Sequence, residues 1–145
     1  MNKEDSLKLS NQLCFPLYAC SRKVIKIYNS LLKDLDITYP QYITMMVLWE
    51  EKELSVKELG KKLYLDSGTL TPLLKNLEAK GFVARNRSDK DERVLIVSIT
   101  DKGEKLKEKA YSVPDSIAGC VCLEPEEAHM LYRLLYKLLG ENEKF

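Results

Sequence analysis

Four cysteines are the side chains of this 145-residue chain that could carry out covalent chemistry: Cys14, Cys20, Cys120 and Cys122. We expect Cys14 to lie just inside the start of a helix, where the helix dipole favours an anion and therefore a reactive thiolate. A thiolate attacks a peroxide and becomes a sulfenic acid, which then forms a disulfide or proceeds to higher oxides. The alternative is an inert cysteine packed in a core. Nearby side chains could accept an apolar group attached to such a peroxide: Leu13, Phe15, Leu17, Tyr18 and Tyr42.

The spacing of the other thiols limits what they can do. Cys20 follows Cys14 by about 600° of rotation and about 9 Å of rise along a helix, so the two thiols point apart. One residue separates Cys120 from Cys122, whereas zinc sites prefer two to four. His129, the only histidine, is expected to be solvated. We therefore predict no metal site and no cofactor.

A second set of polar residues could bind nucleic acid. The run from Ser67 to Pro72 places hydroxyl side chains in the first turn of a predicted helix, whose free N–H groups suit a phosphate. A charged hairpin tip further on could reach an adjacent minor groove. The net charge of +1 does not itself indicate DNA binding, and each feature alone is typical of a helix cap or a solvated loop. Their order indicates DNA contacts by Ser67, Thr69, Thr71, Lys75, Lys90 and Arg93.

Several helices and one hairpin must position these residues. Apolar spacing predicts a first helix over about residues 7–35, which Pro16 forces to start close to Ser10 or to kink near Gln12. Capping boxes at residues 38–41 and 55–58 open two more helices, and Asp66 or Ser67 caps a fourth that stops at Gly81. The β-prone runs 82–87 and 94–99 form a two-stranded hairpin. Helices follow over about 102–111, again after a break at Pro114, and from about 124 to 139.

This order predicts a mainly α chain with a small β-hairpin (α+β), arranged as a winged helix-turn-helix domain with dimerisation helices at both ends. We divide it into residues 1–36 with the sensor cysteine, 37–100 for DNA binding, and 101–145 for dimerisation. The outer helices have broad apolar faces, which a second copy of the chain would cover. No apolar run approaches the roughly 18 residues of a membrane span. The charged N-terminus lacks an apolar signal region, so we expect the cytoplasm and mostly reduced thiols.

Four segments carry a resemblance to a known family. The run Tyr64–Lys75 is similar to the recognition helix of the OhrR-type branch of the MarR repressors, which senses organic hydroperoxides. Asp91–Arg93 resembles the MarR wing signature, Asn11–Phe15 resembles the segment with that branch's reactive cysteine, and Thr38–Tyr42 also matches. The resemblance covers about residues 11–110. It implies a triangular winged-helix dimer.

The same resemblance assigns roles to individual residues. It places Ser67, Thr69, Thr71 and Lys75 towards the major groove and Arg93 towards the minor groove, with Asp91 orienting Arg93 through a salt bridge. It makes Cys14 the reactive thiol, with Tyr18, Tyr28 and Tyr39 as partners, the last two from the other subunit. Two-cysteine members use a second thiol near the partner's C-terminal helices, where Cys120 and Cys122 fall. Pro16, two residues after Cys14, departs from the branch's usual helix.

The function predicted from these features is a dimeric repressor that binds an inverted-repeat operator and is released when organic hydroperoxides oxidise Cys14. One alternative is a MarR-type repressor released by a small aromatic ligand, which would need no cysteine. Another is a thiol-based redox regulator of broader gene sets. A thiol peroxidase would need a reactive cysteine but neither a recognition helix nor a wing, so we predict that the chain is not an enzyme.

Overall fold

Seven α-helices and a small sheet make up the fold in a computed structural model that describes residues 2–120 and 122–140. The predicted C-terminal region ends at residue 145, outside the described residues. The helices are α1 (Cys14–Leu31), α2 (Tyr39–Glu51), α3 (Val56–Leu63), α4 (Ser67–Ala79), α5 (Asp101–Ala110), α6 (Ser112–Ala118) and α7 (Pro125–Leu138). The strands are β1 (Glu53–Ser55), β2 (Val83–Arg87) and β3 (Leu95–Ile99).

Pro16 explains where the first helix begins. The predicted helix over residues 7–35 was too long, because α1 begins at Cys14 and the chain before it forms short 3-10 turns. Pro16 is the third residue of α1, within the first turn, where backbone N–H groups have no partner inside the helix. Its missing donor therefore costs little, and the start of the helix is fixed beside Cys14.

The predicted two-stranded hairpin is confirmed as β2 and β3, and a third strand, β1, joins it. The sheet has three antiparallel strands in the order β1-β3-β2, with Leu54 opposite Val97 and Arg85 also opposite Val97. β1 has only three residues, and its last residue, Ser55, also caps α3 by accepting from the Glu58 N–H. A strand of three residues is too short to show the alternation of apolar and polar residues that predicts a strand.

The predicted break at Pro114 was also misplaced. α6 begins at Ser112 and contains Pro114 in its first turn, after α5 ends at Ala110. As at Pro16, a proline in the first helical turn removes a donor that has no partner there. The break therefore falls at Tyr111.

The core lies under the winged-helix segment. Buried apolar side chains come mainly from α2, α4 and the sheet, and include Met45, Leu48, Leu70, Leu74, Leu77 and Val97. Every residue of α1 and α7, by contrast, keeps some solvent exposure. Among the described residues, no helix is both long and apolar enough to cross a lipid bilayer.

Candidate redox and nucleic-acid-binding sites

The exposed N-terminal turn of α4 presents the predicted DNA-reading hydroxyl groups. Asp66 caps the helix, because its Oδ1 accepts from the Thr69 N–H at 2.8 Å. Hydrogen bonds from Thr69 hold the pKa of Asp66 below its usual value, so the cap stays ionised near neutral pH. Ser67 and Thr69 are exposed beside it. Two exposed hydroxyl side chains and one fixed carboxylate thus mark the start of α4.

Thr71 and Lys75 lie one turn apart on the outer face of α4. Both are exposed, while Leu70 and Leu74 are buried on the opposite side. The Thr71 hydroxyl donates to the Ser67 carbonyl at 2.7 Å. This bond uses the only hydrogen of that hydroxyl, which leaves its oxygen lone pairs for a base donor. Lys75 carries the positive charge of this face.

The tip of the β2–β3 hairpin holds a pre-formed ion pair. Arg93 Nε lies 3.1 Å from Asp91 Oδ1, and Arg93 Nη2 donates to Asp91 Oδ2 at 3.2 Å. These hydrogen bonds hold the pKa of Asp91 below its usual value. The Arg93 side chain is 91% exposed, and Lys90 is also exposed. The predicted salt bridge is confirmed, and it orients Arg93 while leaving the residue accessible.

A second ion pair, which sequence reasoning missed, joins the wing to α4. Arg85 Nε and Nη2 donate to Glu78 Oε2 at 3.0 and 2.6 Å, and the Arg85 backbone N–H donates to Glu78 Oε1 at 3.1 Å. Arg85 is largely shielded, with 17% of its side chain exposed. The opposite charges on either side of Gly81 were the available signal. The pair fixes the base of the wing relative to the recognition helix.

Cys14 is exposed at the first residue of α1. Tyr18 follows one turn later on the same face, and it is 57% exposed. The Tyr18 hydroxyl accepts from Arg22 Nη1 at 2.6 Å. Because its oxygen is the acceptor in that bond, the O–H remains available to donate to a neighbouring thiolate.

The other two predicted partners of Cys14 lie in a separate tyrosine cluster. The ring centres of Tyr28 and Tyr39 are 4.6 Å apart, and those of Tyr28 and Tyr42 are 5.9 Å apart. Burial raises the pKa of all three phenols, with further contributions from neighbouring tyrosines at Tyr28 and Tyr42. They therefore remain protonated O–H donors. Tyr28 follows Cys14 by 14 residues of one helix, about 21 Å of rise, so this cluster and Cys14 of the same chain are far apart.

Cys120 and Cys122 lie between α6 and α7, and both are exposed. The Cys120 thiol donates to the Ser116 carbonyl at 3.4 Å, within the last turn of the preceding helix. Cys20 is exposed on α1. Within the described ranges, no three His, Cys, Asp or Glu side chains are grouped closely enough to hold a metal ion.

The outer helices expose a large amount of apolar surface. α7 makes only marginal contacts with the other elements of the described chain. The exposed side chains on α7 and around the start of α1 are Leu13, Phe15, Leu17, Tyr18, Met130, Leu131, Tyr132, Leu134 and Leu138. Exposed apolar surfaces of this kind are typical of protein interfaces.

Comparisons with known proteins match this architecture. The family model for the SarA/Rot transcriptional regulators matches residues 26–110. The organic hydroperoxide resistance transcriptional regulator of Bacillus subtilis (strain 168) is 51% identical over 138 residues, covering 95% of this chain and 94% of that protein. The structure of reduced AbfR bound to DNA superposes with a TM-score of 0.79 at 37% identity, covering 96% of this chain and 97% of that one; AbfR is a protein of Staphylococcus epidermidis. Disulfide-formed AbfR gives a TM-score of 0.65 at 39% identity, covering 94% and 96%.

Proposed function

This chain belongs to the SarA/Rot family of transcriptional regulators, and from that premise we propose that it is a dimeric repressor released from its operator when organic hydroperoxides oxidise Cys14. The OhrR-type resemblance of the sequence is confirmed by the Bacillus subtilis relative. One observation carries the proposal: Cys14 is exposed at the start of α1, in a chain that also presents the exposed first turn of α4.

Two surfaces would contact the operator. Ser67, Thr69, Thr71 and Lys75 face outward on α4 and would enter the major groove, while Arg93 and Lys90 would reach the minor groove from the wing. The Glu78–Arg85 pair supports simultaneous contact, because it fixes the spacing between the helix and the wing. Asp91 would hold Arg93 in position.

A second copy of the chain would cover the exposed apolar side chains of α1 and α7. A twofold dimer places its two recognition helices about 34 Å apart, so the operator would be an inverted repeat. The division into residues 1–36, 37–100 and 101–145 assigns the two outer regions to this interface. Light scattering should give the mass of a dimer at micromolar concentration, and a monomer there would refute this assembly.

The sensing step is a thiol oxidation. The Cys14 thiolate attacks the terminal oxygen of the hydroperoxide, the O–O bond breaks, and the products are a sulfenic acid and an alcohol once the leaving alkoxide gains a proton. Tyr18 of the same chain, with Tyr28 and Tyr39 of the partner, would donate hydrogen bonds to the sulfur. We assign the protein to the cytoplasm, where Cys14 would start in its reduced form.

DNA binding before and after one equivalent of cumene hydroperoxide tests the proposal directly. We expect the reduced protein to bind the operator and the oxidised protein to release it, while mass spectrometry finds the modification, an added oxygen or a disulfide, on Cys14. Cys20→Ser is the matched control, since it removes another exposed thiol of α1. Cys14→Ser should bind the operator equally well before and after peroxide treatment. Release of Cys14→Ser by peroxide would refute the assignment, and release by a small aromatic ligand would favour the alternative mechanism.

The sulfenic acid of Cys14 would then condense with a second thiol and lose water. We propose Cys120 of the partner as that thiol, with Cys122 as the less favoured choice, because both are exposed in the connection before α7. Non-reducing electrophoresis after peroxide treatment should show a covalent dimer that disappears in Cys120→Ser. In an assay without added thiol, a band that stays monomeric while DNA is released would instead favour the route in which a small cellular thiol caps Cys14.

A further inference from the structure

The first turn of α2 contacts both the tyrosine cluster and the recognition helix. Tyr39, its first residue, packs against Tyr28. Gln41, two residues later, donates from Nε2 to Asn76 Oδ1 on α4 at 2.7 Å. We propose that Gln41 is a positioning residue that couples the sensor end of α2 to the DNA-reading helix through Asn76. The inference rests on the proposed function in taking Tyr39 as part of the sensor.

Both ends of the Gln41 amide are committed. Its Oε1 accepts from the Thr38 backbone N–H at 3.0 Å and so completes the capping box of α2. Because Thr38 N–H can only donate, the oxygen must face it and the nitrogen must face Asn76. Gln41 is 6% exposed, so its own amide has little access to water, whereas Thr38 and Asn76 are exposed. The side chain therefore cannot turn without leaving a buried polar atom unpaired.

A hydrogen bond restrains α4 in a way that apolar packing does not. Leu70, Leu74 and Leu77 bury one face of α4 in the core, but contacts of this kind are not directional. The Gln41–Asn76 bond has distance and angle requirements, so it restrains the position of α4 relative to the first turn of α2. A movement of the first turn of α2 is thereby passed to one defined point on α4.

A second polar contact lies one turn away. Lys80, the C-cap of α4, donates to the Asp36 carbonyl and forms an ion pair with Asp36 Oδ2 at 3.0 Å. Asp36 lies in the connection between α1 and α2. Asp36, which follows α1, and Gln41, in the first turn of α2, thus both contact the C-terminal half of α4. Ser67 lies nine residues from Asn76, about 13 Å along the helix, so a tilt at the held end displaces the reading end.

The coupling is tested in the full-length reduced protein by the backbone amide NMR signals of Ser67–Thr71. Tyr39→Phe and Tyr39→Ala should shift these signals, and Asn76→Ala should reduce that shift at least about twofold, since coupled sites are not additive. Asn76→Asp is the matched control, because it keeps an acceptor oxygen at the same position. Thr38→Val controls for a loosened α2, because it removes the cap hydroxyl and leaves Asn76 in place. Equal shifts with and without Asn76 would overturn the coupling.

Operator binding gives a second, separable measurement. If peroxide weakens operator binding of the wild type about tenfold or more, Asn76→Ala should lower that ratio about threefold, while Asn76→Asp keeps it. A wild type that peroxide does not release from DNA contradicts the proposed function, and the amide signals still decide the coupling. A wild type and an Asn76→Ala variant released to the same extent contradict the coupling alone.

Discussion

Gly60 lies where α3 passes closest to the turn that leads into the recognition helix, and Gly60→Ala should move that turn. An added Cβ would lie 2.7 Å from the Leu65 carbonyl oxygen and 3.2 Å from Leu70 Cδ1. The Leu70 methyl can rotate away, but the Leu65 carbonyl is backbone. The Leu65 N–H also donates to the Gly60 carbonyl at 3.0 Å, which holds the two segments together. Relief therefore requires a shift of the chain just before Asp66.

Two opposing effects set the size of this change. Overpacking of this kind costs about 1–3 kcal/mol, and alanine in place of glycine inside a helix returns about 1 kcal/mol. The net loss in the free energy of unfolding is then about 1 kcal/mol, or about 2–4 °C in Tm for a chain of this size. The displaced turn should also weaken operator binding by about fivefold in protein that is still folded, if about 1 kcal/mol of contact energy is lost.

Thermal unfolding by circular dichroism and fluorescence anisotropy with a labelled operator duplex measure the two effects. Gly119→Ala is the matched control, because its Cβ would meet nothing closer than the Ser116 carbonyl oxygen at 3.7 Å. That variant should keep both the wild-type Tm and the wild-type affinity. The reasoning is refuted if Gly60→Ala melts at or above the wild-type temperature and binds the operator equally well.

Three further predictions concern the DNA-binding surface, the redox sensor and the helix cap at Asp66. Arg93→Ala should reduce the slope of log affinity against log salt by about 1.8, one contact of about 0.9 in each protomer, whereas Arg93→Lys should keep it. Replacing Tyr28 and Tyr39 together by Phe should slow the reaction of Cys14 with peroxide in stopped-flow kinetics and change the DNA affinity of the reduced protein only a little; an equal oxidation rate would remove both phenols from the sensor. Hydrogen bonds from Thr69 lower the pKa of Asp66 in the folded protein below its ordinary value of 3.8. The ionised cap therefore stabilises the fold at pH values above 3.8, and this stabilisation is lost as the pH falls through the pKa of the folded state. Urea midpoints of the wild type and Asp66→Asn should therefore differ at about pH 6, and the difference should shrink as the pH falls below 3.8; a difference that does not change with pH would contradict this.

The features that were predicted correctly from the sequence are those determined by residues close together in the chain. The caps at Thr38, Ser55 and Asp66 are confirmed, because each depends on residues within four positions. Gly81 ends the α4 segment with a φ of 78°, as its place after the last apolar residue indicated. The effects of Pro16 and Pro114 were predicted less well, because both lie in the first turn of a helix, where the missing N–H costs little.

What the sequence did not predict depends on how distant segments meet. β1 exists because Glu53–Ser55 pairs with β3, more than 40 residues away, and three residues cannot signal that partner. The hydrogen bond from Gln41 to Asn76 depends on the crossing of α2 and α4, which no spacing along the chain encodes. The roles of the DNA-reading and redox residues remain predictions, since they involve DNA, peroxide and a second subunit.

The geometry of α1 links sensing to dimerisation. Cys14 and Tyr28 belong to one continuous helix, about 21 Å apart along its axis, and Tyr39 packs on Tyr28 rather than near the helix start. A hydrogen bond from either phenol to the Cys14 sulfur therefore requires a second chain whose α1 runs in the opposite direction alongside the first. The apolar side chains exposed around the start of α1, including Phe15 and Leu17, are placed where such a partner would cover them. Burial of that surface and completion of the thiolate site would then be the same event. A monomer would therefore lack a complete sensor as well as half of the DNA-binding surface.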